Sequence, residues 1–100
     1  MSYRVVVTKE ARDQLNALFR YLSDEAGKDT ASRIVGELLD LAATLETFPL
    51  RGTPRDDLRP GLRTMPWKRR ATLAYVVEDE DVVIIGVFYG GMDVEQALRM

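Results

Sequence analysis

Basic residues are concentrated in one stretch of the chain, between positions 51 and 70. Seven arginine and lysine side chains fall there and two acidic ones, Asp56 and Asp57, oppose them, so the stretch carries a net charge of +5. The whole chain carries −2, which leaves −7 for the remaining residues. A basic segment on an acidic body predicts an anionic partner or an acidic protein surface. The basic residues are Arg51, Arg55, Arg59, Arg63, Lys68, Arg69 and Arg70.

Two residue types that support much of enzyme chemistry are missing from the sequence. There is no histidine, which removes the commonest general base, the commonest zinc ligand and any serine–histidine–aspartate triad. There is no cysteine either, so disulfides and thiol chemistry are excluded. We therefore expect no metal site and no other cofactor.

The length and composition predict one domain that spans residues 1–100. The hydrophobic share of 46% and the charged share of 30% are typical of a globular protein in water. No apolar run approaches the roughly 20 residues that span a membrane, and the first residues lack the apolar core of a signal peptide. We therefore expect a cytoplasmic protein without membrane contact.

The strongest secondary-structure signal lies between Arg70 and Tyr89. Two apolar runs rich in β-branched and aromatic residues flank four acidic residues at 78–81, which predicts a β-hairpin. A two-residue or a four-residue loop places Val77 opposite Val82 and Arg70 opposite Tyr89. Both faces of this hairpin are apolar, so other elements must cover both. The same register predicts the pairs Tyr75–Ile84, Leu73–Gly86 and Ala71–Phe88.

The first half of the chain predicts a strand at 3–7 and two helices. Thr8 is a suitable N-cap for the first helix, Lys9–Ala26, and Asp29 for a second helix that continues to about residue 47. The connection between them is so short that the helices must form an antiparallel pair. Their apolar residues recur at helical spacing and predict the core-facing sides. These residues are Ala11, Leu15, Leu18 and Leu22 in the first helix, and Ala31, Ile34, Val35, Leu38, Leu41, Ala42 and Leu45 in the second.

Glycine and proline punctuate residues 50–61 and predict an irregular surface connection. A strand is expected over 61–65, before Pro66, and a short helical turn or tail over 93–100. The predicted fold class is α+β. An N-terminal strand and a helical hairpin would pack with one face of a mostly antiparallel four-stranded sheet, followed by a short C-terminal helix or tail.

This order of elements, together with four motifs, resembles the ParE/RelE superfamily, the toxins of bacterial type II toxin–antitoxin pairs. The motifs are ARDQL at 11–15, FPLRG at 48–52, GLR at 61–63 and the closing hairpin at 74–93. FPxxG followed by GLR is more similar to the ParE branch than to the RelE branch. The sequence departs from the family where ParE-like chains commonly end the last strand with His-Gly-x-Arg-Asp. Tyr89 stands at the histidine position and Met92 at the arginine position.

The resemblance implies a plasmid-stabilising toxin that inhibits DNA gyrase by binding, without catalysis. It also implies neutralisation by a ParD-like antitoxin. Contact with DNA is expected only through that antitoxin. The target-binding residues expected from the resemblance and the basic stretch are Arg63, Trp67, Lys68, Arg69 and Arg70. Trp67 would either anchor a partner or pack under the edge of the sheet.

Two alternatives remain open from the resemblance. A RelE-like ribosome-dependent mRNA endonuclease would use Arg63, Arg70 and Tyr89. A degenerate relative would bind its antitoxin without being toxic.

In the family, the C-terminal segment of the antitoxin lies along the helices and sheet of the toxin, which implies contacts with Phe19, Tyr21 and Leu22.

Overall fold

The computed structural model describes residues 2–90 and 97–98. Within these residues the chain forms two helices and one mixed sheet. The elements are β1 (Arg4–Val7), α1 (Lys9–Ala26), α2 (Lys28–Ala43), β2 (Thr53–Pro54), β3 (Leu62–Trp67), β4 (Ala71–Glu78) and β5 (Asp81–Tyr89), with a 3₁₀ turn at Thr44–Glu46 after α2. The predicted α+β class is confirmed.

The strands are ordered β1-β5-β4-β3-β2 across the sheet. β1 runs parallel to β5, and the other neighbouring pairs are antiparallel. The described residues form five strands rather than the predicted four, because Thr53 and Pro54 pair with Thr64 and Arg63. A two-residue strand is too short to show a periodic pattern, and its proline is tolerated because β2 lies at the edge.

The helical hairpin forms as predicted, with two corrections. The second helix ends at Ala43 and gives way to the 3₁₀ turn, short of its predicted end near residue 47. The Thr8 hydroxyl accepts the Ala11 N–H at 3.1 Å, and α1 has the expected bounds. Gly27 ends α1 with a φ of 94° and immediately precedes α2. The prediction of Asp29 as N-cap was wrong, because Gly27 reverses the chain alone and Asp29 falls inside the first turn of α2.

The two faces of the sheet have separate apolar clusters. The helices cover one face, where buried residues of α1 and α2 pack with Met65, Trp67, Leu73, Tyr75 and Ile84. The second face is covered by Leu58 and Leu98, which pack with Leu62, Ala74 and Phe88. Residues 97–98 are helical. The rest of the predicted C-terminal turn lies outside the described residues, and so does Met92.

A β-bulge corrects the predicted register of the β4–β5 hairpin. Val77 pairs with Val82 across a two-residue loop, and Tyr75 pairs with Ile84, as predicted. The register then shifts by one residue between Ala74 and Tyr75. The predicted pairs Leu73–Gly86, Ala71–Phe88 and Arg70–Tyr89 were therefore wrong. The observed pairs are Leu73–Val87, Ala71–Tyr89 and Thr72–Phe88.

The bulge changes which side chains of β5 face the helices. Because one extra residue exchanges the two faces beyond it, Val87 and Tyr89 pack on the helix side and Phe88 on the other. The Gln14 side-chain oxygen on α1 accepts the Val87 N–H at 2.7 Å. A helix residue thus supplies a partner for the backbone of the bulged strand.

The helices found in residues 2–90 and 97–98 are not long and apolar enough to cross a membrane.

Candidate functional site

The turn between β3 and β4 is basic and has an unusual backbone conformation. Lys68 and Arg69 both adopt positive φ angles, 48° and 57°, and the Arg70 N–H donates to the Trp67 carbonyl at 2.8 Å. Two successive left-handed residues are typical of a type I′ turn, which favours glycine and asparagine. Placing side chains with a Cβ there costs about 1 kcal/mol or more per residue. We call Lys68, Arg69 and Arg70 the basic turn.

The basic turn is anchored at its first residue. The Lys68 ammonium lies 3.0 Å from a Glu37 carboxylate oxygen on α2 and 5.2 Å from the centre of the Trp67 ring. This hydrogen bond from Lys68 holds the pKa of Glu37 below its ordinary value. Trp67 is only 6% exposed and packs in the core. Arg69 and Arg70 are exposed, and neither has an ion-pair partner in the part of the chain that the structure describes.

A second candidate surface is the loop at 48–52, which we call the braced loop. The Tyr75 hydroxyl accepts the Gly52 N–H at 2.9 Å and donates to the Pro49 carbonyl at 2.8 Å. Arg63 donates from one guanidinium nitrogen to the carbonyls of Leu50, at 3.0 Å, and Gly52, at 2.7 Å. The FPLRG and GLR motifs are therefore in direct contact. Burial raises the pKa of the Tyr75 hydroxyl, which keeps it protonated as a donor.

Close packing at Gly52 explains why this position is a glycine. A Cβ there would lie 2.6 Å from the Tyr75 hydroxyl oxygen, so a larger residue would displace the tyrosine. On the outside of the loop, Phe48 and Leu50 are each 63% exposed. They line a shallow cavity of about 340 Å³ with their neighbours at 47–51. The Arg51 guanidinium donates to the Thr44 hydroxyl at 3.0 Å.

Two grooves flank α1. One, of about 400 Å³, lies between α1 and the end of β5 and is lined by Tyr21 and Tyr89 among others. The other, of about 370 Å³, is lined by Phe19, Leu39 and other residues of β1, α1 and α2. The predicted antitoxin contacts Phe19 and Tyr21 thus lie in different grooves. Leu22 is buried in the core.

The structure separates the predicted target-binding residues into two groups. Arg63 lies beside the braced loop, whereas Trp67 and the basic turn lie at the other end of β3. The groove beside Tyr89 adjoins the basic turn, because the Gly90 N–H donates to the Arg70 carbonyl at 2.9 Å. Arg63 lies four residues before Trp67 on β3, about 13 Å away along an extended strand. The proposed nuclease residues are therefore not gathered at one point. Across residues 2–90 and 97–98, no cluster of three or more acidic side chains could hold a metal ion.

The sequence predicted only part of the braced loop as a surface, because residues 50–52 fall in the predicted surface connection and Arg51 in the basic stretch. Phe48 and Pro49 were identified only as part of the FPLRG motif, and Tyr75 only as a strand residue. The available signal was the pair of motifs FPLRG and GLR. Their spacing gave no indication that one would hold the other.

Two solved structures with a similar fold come from toxin–antitoxin systems. A chain of the chromosomal ParDE TA system from P. aeruginosa superposes with a TM-score of 0.78, covering 88% of this chain and 96% of that chain at 19% identity. A chain of the toxin–antitoxin complex RelBE2 from Mycobacterium tuberculosis has a TM-score of 0.71, covering 90% of this chain and 100% of that chain at 26% identity. The fold is thus one found among the components of these systems.

Sequence comparison then identifies the family. The family model for the ParE toxin of the type II toxin–antitoxin system, parDE, matches residues 5–94. Toxin ParE3 of Caulobacter vibrioides is 34% identical over 98 residues, covering 95% of this chain and 94% of that protein. The chain belongs to the ParE toxin family of type II toxin–antitoxin systems, which confirms the resemblance noted from its motifs.

Proposed function

We propose that this toxin binds and inhibits DNA gyrase without a catalytic step, and that a ParD-like antitoxin neutralises it. The observation that supports target binding most directly is the basic turn. Arg69 and Arg70 project from a turn that is anchored to α2 through Lys68 and Glu37. Unneutralised charges on a fixed turn attract an oppositely charged partner over long range and orient it on contact.

The separation of the candidate catalytic groups supports binding over cleavage. Cleaving RNA requires a base, a donor to the leaving oxygen and cations around one phosphate. Arg63 lies about 13 Å from Trp67, the strand residue next to the basic turn, and donates to two loop carbonyls. Tyr89 pairs with Ala71, next to Arg70, so these two candidate groups remain neighbours and Arg63 is the one that lies apart. This arrangement favours a toxin whose effect depends on surface fit.

A supercoiling assay with purified gyrase tests the proposal. We expect the wild-type chain to inhibit supercoiling. Arg69→Ala/Arg70→Ala should raise the half-inhibitory concentration at least about tenfold, which corresponds to about 1.4 kcal/mol of lost binding free energy. The matched control is Arg12→Ala/Arg20→Ala, which removes the same charge from exposed positions on α1 and should leave inhibition unchanged.

Other outcomes would replace this proposal. Codon-positioned mRNA cuts in a translating extract, without gyrase inhibition, would identify a RelE-like endonuclease. If induction of the chain neither arrests growth nor inhibits gyrase, the chain is a non-toxic relative that only binds its antitoxin.

We propose that the antitoxin crosses α1 and occupies both grooves. It would contact Phe19 of this chain in one groove and Tyr21 in the other. Tyr21 is 56% exposed, so replacing it should change the surface without unfolding the core. Tyr21→Asp should weaken binding of the proposed ParD-like antitoxin at least about tenfold, because it places a charge in an apolar groove. Glu25→Ala, at an exposed α1 position outside both grooves, is the control. Wild-type affinity in Tyr21→Asp would exclude this site.

A further inference from the structure

The braced loop exposes apolar surface on a backbone that is held in place. Phe48 and Leu50 carry large apolar side chains, and each is more than half exposed. They lie two residues apart in the sequence. Four hydrogen bonds with the Tyr75 and Arg63 side chains hold the backbone at Pro49, Leu50 and Gly52. Because the loop is already ordered, binding a partner costs little additional conformational entropy. Exposed apolar side chains on an ordered backbone are typical of surfaces that bind another protein.

The charges beside Phe48 and Leu50 indicate the chemistry of the partner. Arg51 donates to the Thr44 hydroxyl, and Arg63 donates to backbone carbonyls. Neither guanidinium has a carboxylate partner among residues 2–90 and 97–98. Two unneutralised cations next to two apolar side chains are complementary to a protein segment in which carboxylates flank an apolar side chain. Nucleic acid would match the cations but would leave Leu50 without an apolar contact.

The position of the braced loop indicates which partner it contacts. The cavity at 47–51 shares no lining residue with either groove beside α1. An antitoxin confined to those grooves would leave Phe48 and Leu50 accessible. We propose that the braced loop docks an acidic, apolar segment of the protein that the toxin inhibits. The inference rests on the proposed function only in requiring a protein target, whether or not that target is gyrase.

The test compares Phe48→Ser/Leu50→Ser with the wild-type chain. Growth arrest on induction should require at least about tenfold more variant protein, because apolar side chains at the centre of an interface carry much of its affinity. The dissociation constant for the antitoxin should stay within about twofold, since the grooves are unchanged. Thermal unfolding followed by circular dichroism should stay near that of the wild type, because both side chains are exposed. Val6→Ser, at an exposed apolar position outside both grooves and the braced loop, is the control for loss of apolar surface and should arrest growth normally.

Arg51→Glu tests the charge of the partner separately. Reversing this charge places a carboxylate against the expected carboxylates and should reduce growth arrest as strongly as the double variant. Wild-type growth arrest by Arg51→Glu would contradict an acidic partner.

Three results would overturn the proposal as a whole. The first is wild-type growth arrest by Phe48→Ser/Leu50→Ser. The second is lost antitoxin affinity with growth arrest retained, which would make the antitoxin the occupant of the loop. The third is a wild-type chain that does not arrest growth. If the wild type arrests growth without inhibiting gyrase, the assignment of gyrase fails, and the comparison with Phe48→Ser/Leu50→Ser still decides the role of the loop.

Discussion

Tyr75 and Arg63 are cross-strand neighbours on β4 and β3, and both use polar atoms to hold a loop that lies outside the sheet. Arg63 was predicted as a target contact because of its charge. Its guanidinium instead donates to the carbonyls of Leu50 and Gly52. Loss of toxicity in Arg63→Ala would therefore indicate that the conformation of the braced loop has changed. Direct contact of Arg63 with the target stays a prediction.

Replacing Tyr75 by phenylalanine tests this bracing. The change leaves the buried Gly52 N–H and the partly buried Pro49 carbonyl without their partner. We expect a loss of about 1–3 kcal/mol in the free energy of unfolding, measured by urea denaturation. Tyr89→Phe is the control, because the Tyr89 hydroxyl makes no hydrogen bond within the described residues, and it should change stability by less than about 0.5 kcal/mol. Equal effects of the two substitutions would contradict the role of Tyr75.

Replacing Arg69 by glycine should affect stability and function in opposite directions. Glycine adopts a φ of 57° without steric cost, so Arg69→Gly should raise the free energy of unfolding by about 0.5–1 kcal/mol. It also removes an exposed cation and should weaken gyrase inhibition. Arg70→Gly removes the same charge where φ is not positive, and it should not stabilise the chain. A less stable Arg69→Gly variant would show that the side chain contributes contacts that outweigh its backbone strain.

Contacts between elements orient the basic turn. Glu37 on α2 accepts hydrogen bonds from Arg33, at 3.1 Å, and from Lys68, at 3.0 Å. The carboxylate therefore connects the middle of a helix to the end of a β-hairpin. All three side chains are at least partly exposed, so the connection orients the turn more than it stabilises the fold.

The pKa of Glu37 gives this contact a pH dependence. Its pKa lies below the ordinary value of 4.5, so its stabilising contribution is present above the unfolded-state pKa and is lost as the pH falls through the folded-state pKa. In an NMR titration, Lys68→Met should move the Glu37 midpoint up towards 4.5, because the hydrogen bond from Lys68 is the main cause of the shift. Lys9→Met removes a separate ion pair with Asp13 and should leave the Glu37 midpoint unchanged. An unshifted midpoint in Lys68→Met would mean that this contact is not populated in solution.

At the scale of the whole molecule, the helices and the sheet share one core. The cluster on the helix side joins α1 and α2 to β3, β4 and β5. Gln14 further connects α1 to the bulge of β5. Elements that bury each other in this way cannot unfold separately without exposing the same apolar surface.

We therefore expect unfolding in a single cooperative transition. Trp67 is the sole tryptophan of the sequence and is buried between the sheet and the helices. Its fluorescence should report tertiary packing, and circular dichroism at 222 nm should report the helices. The two urea midpoints should coincide. A lower midpoint for fluorescence would show that the β3–β4 hairpin separates from α2 first.

The sequence alone determined the features that depend on neighbouring residues. The N-cap at Thr8, the bounds of α1 and the pairing of Val77 with Val82 follow from signals that lie within a few positions of one another. The concentration of charge between residues 51 and 70 is likewise a property of the sequence. Local propensity and periodicity act before the chain is compact, so their consequences could be predicted.

The tertiary structure alone decided the features that depend on distant partners. Tyr75 holds a loop 23 to 26 residues away, and Gln14 supplies an acceptor to a strand 73 residues away. The bulge exchanged the faces of β5 beyond Ile85 and moved Tyr89 away from the position opposite Arg70. A polar group acquires such a partner only when folding brings the two together and excludes water from between them. The local sequence pattern therefore could not show which arginines brace a loop and which remain available to a target.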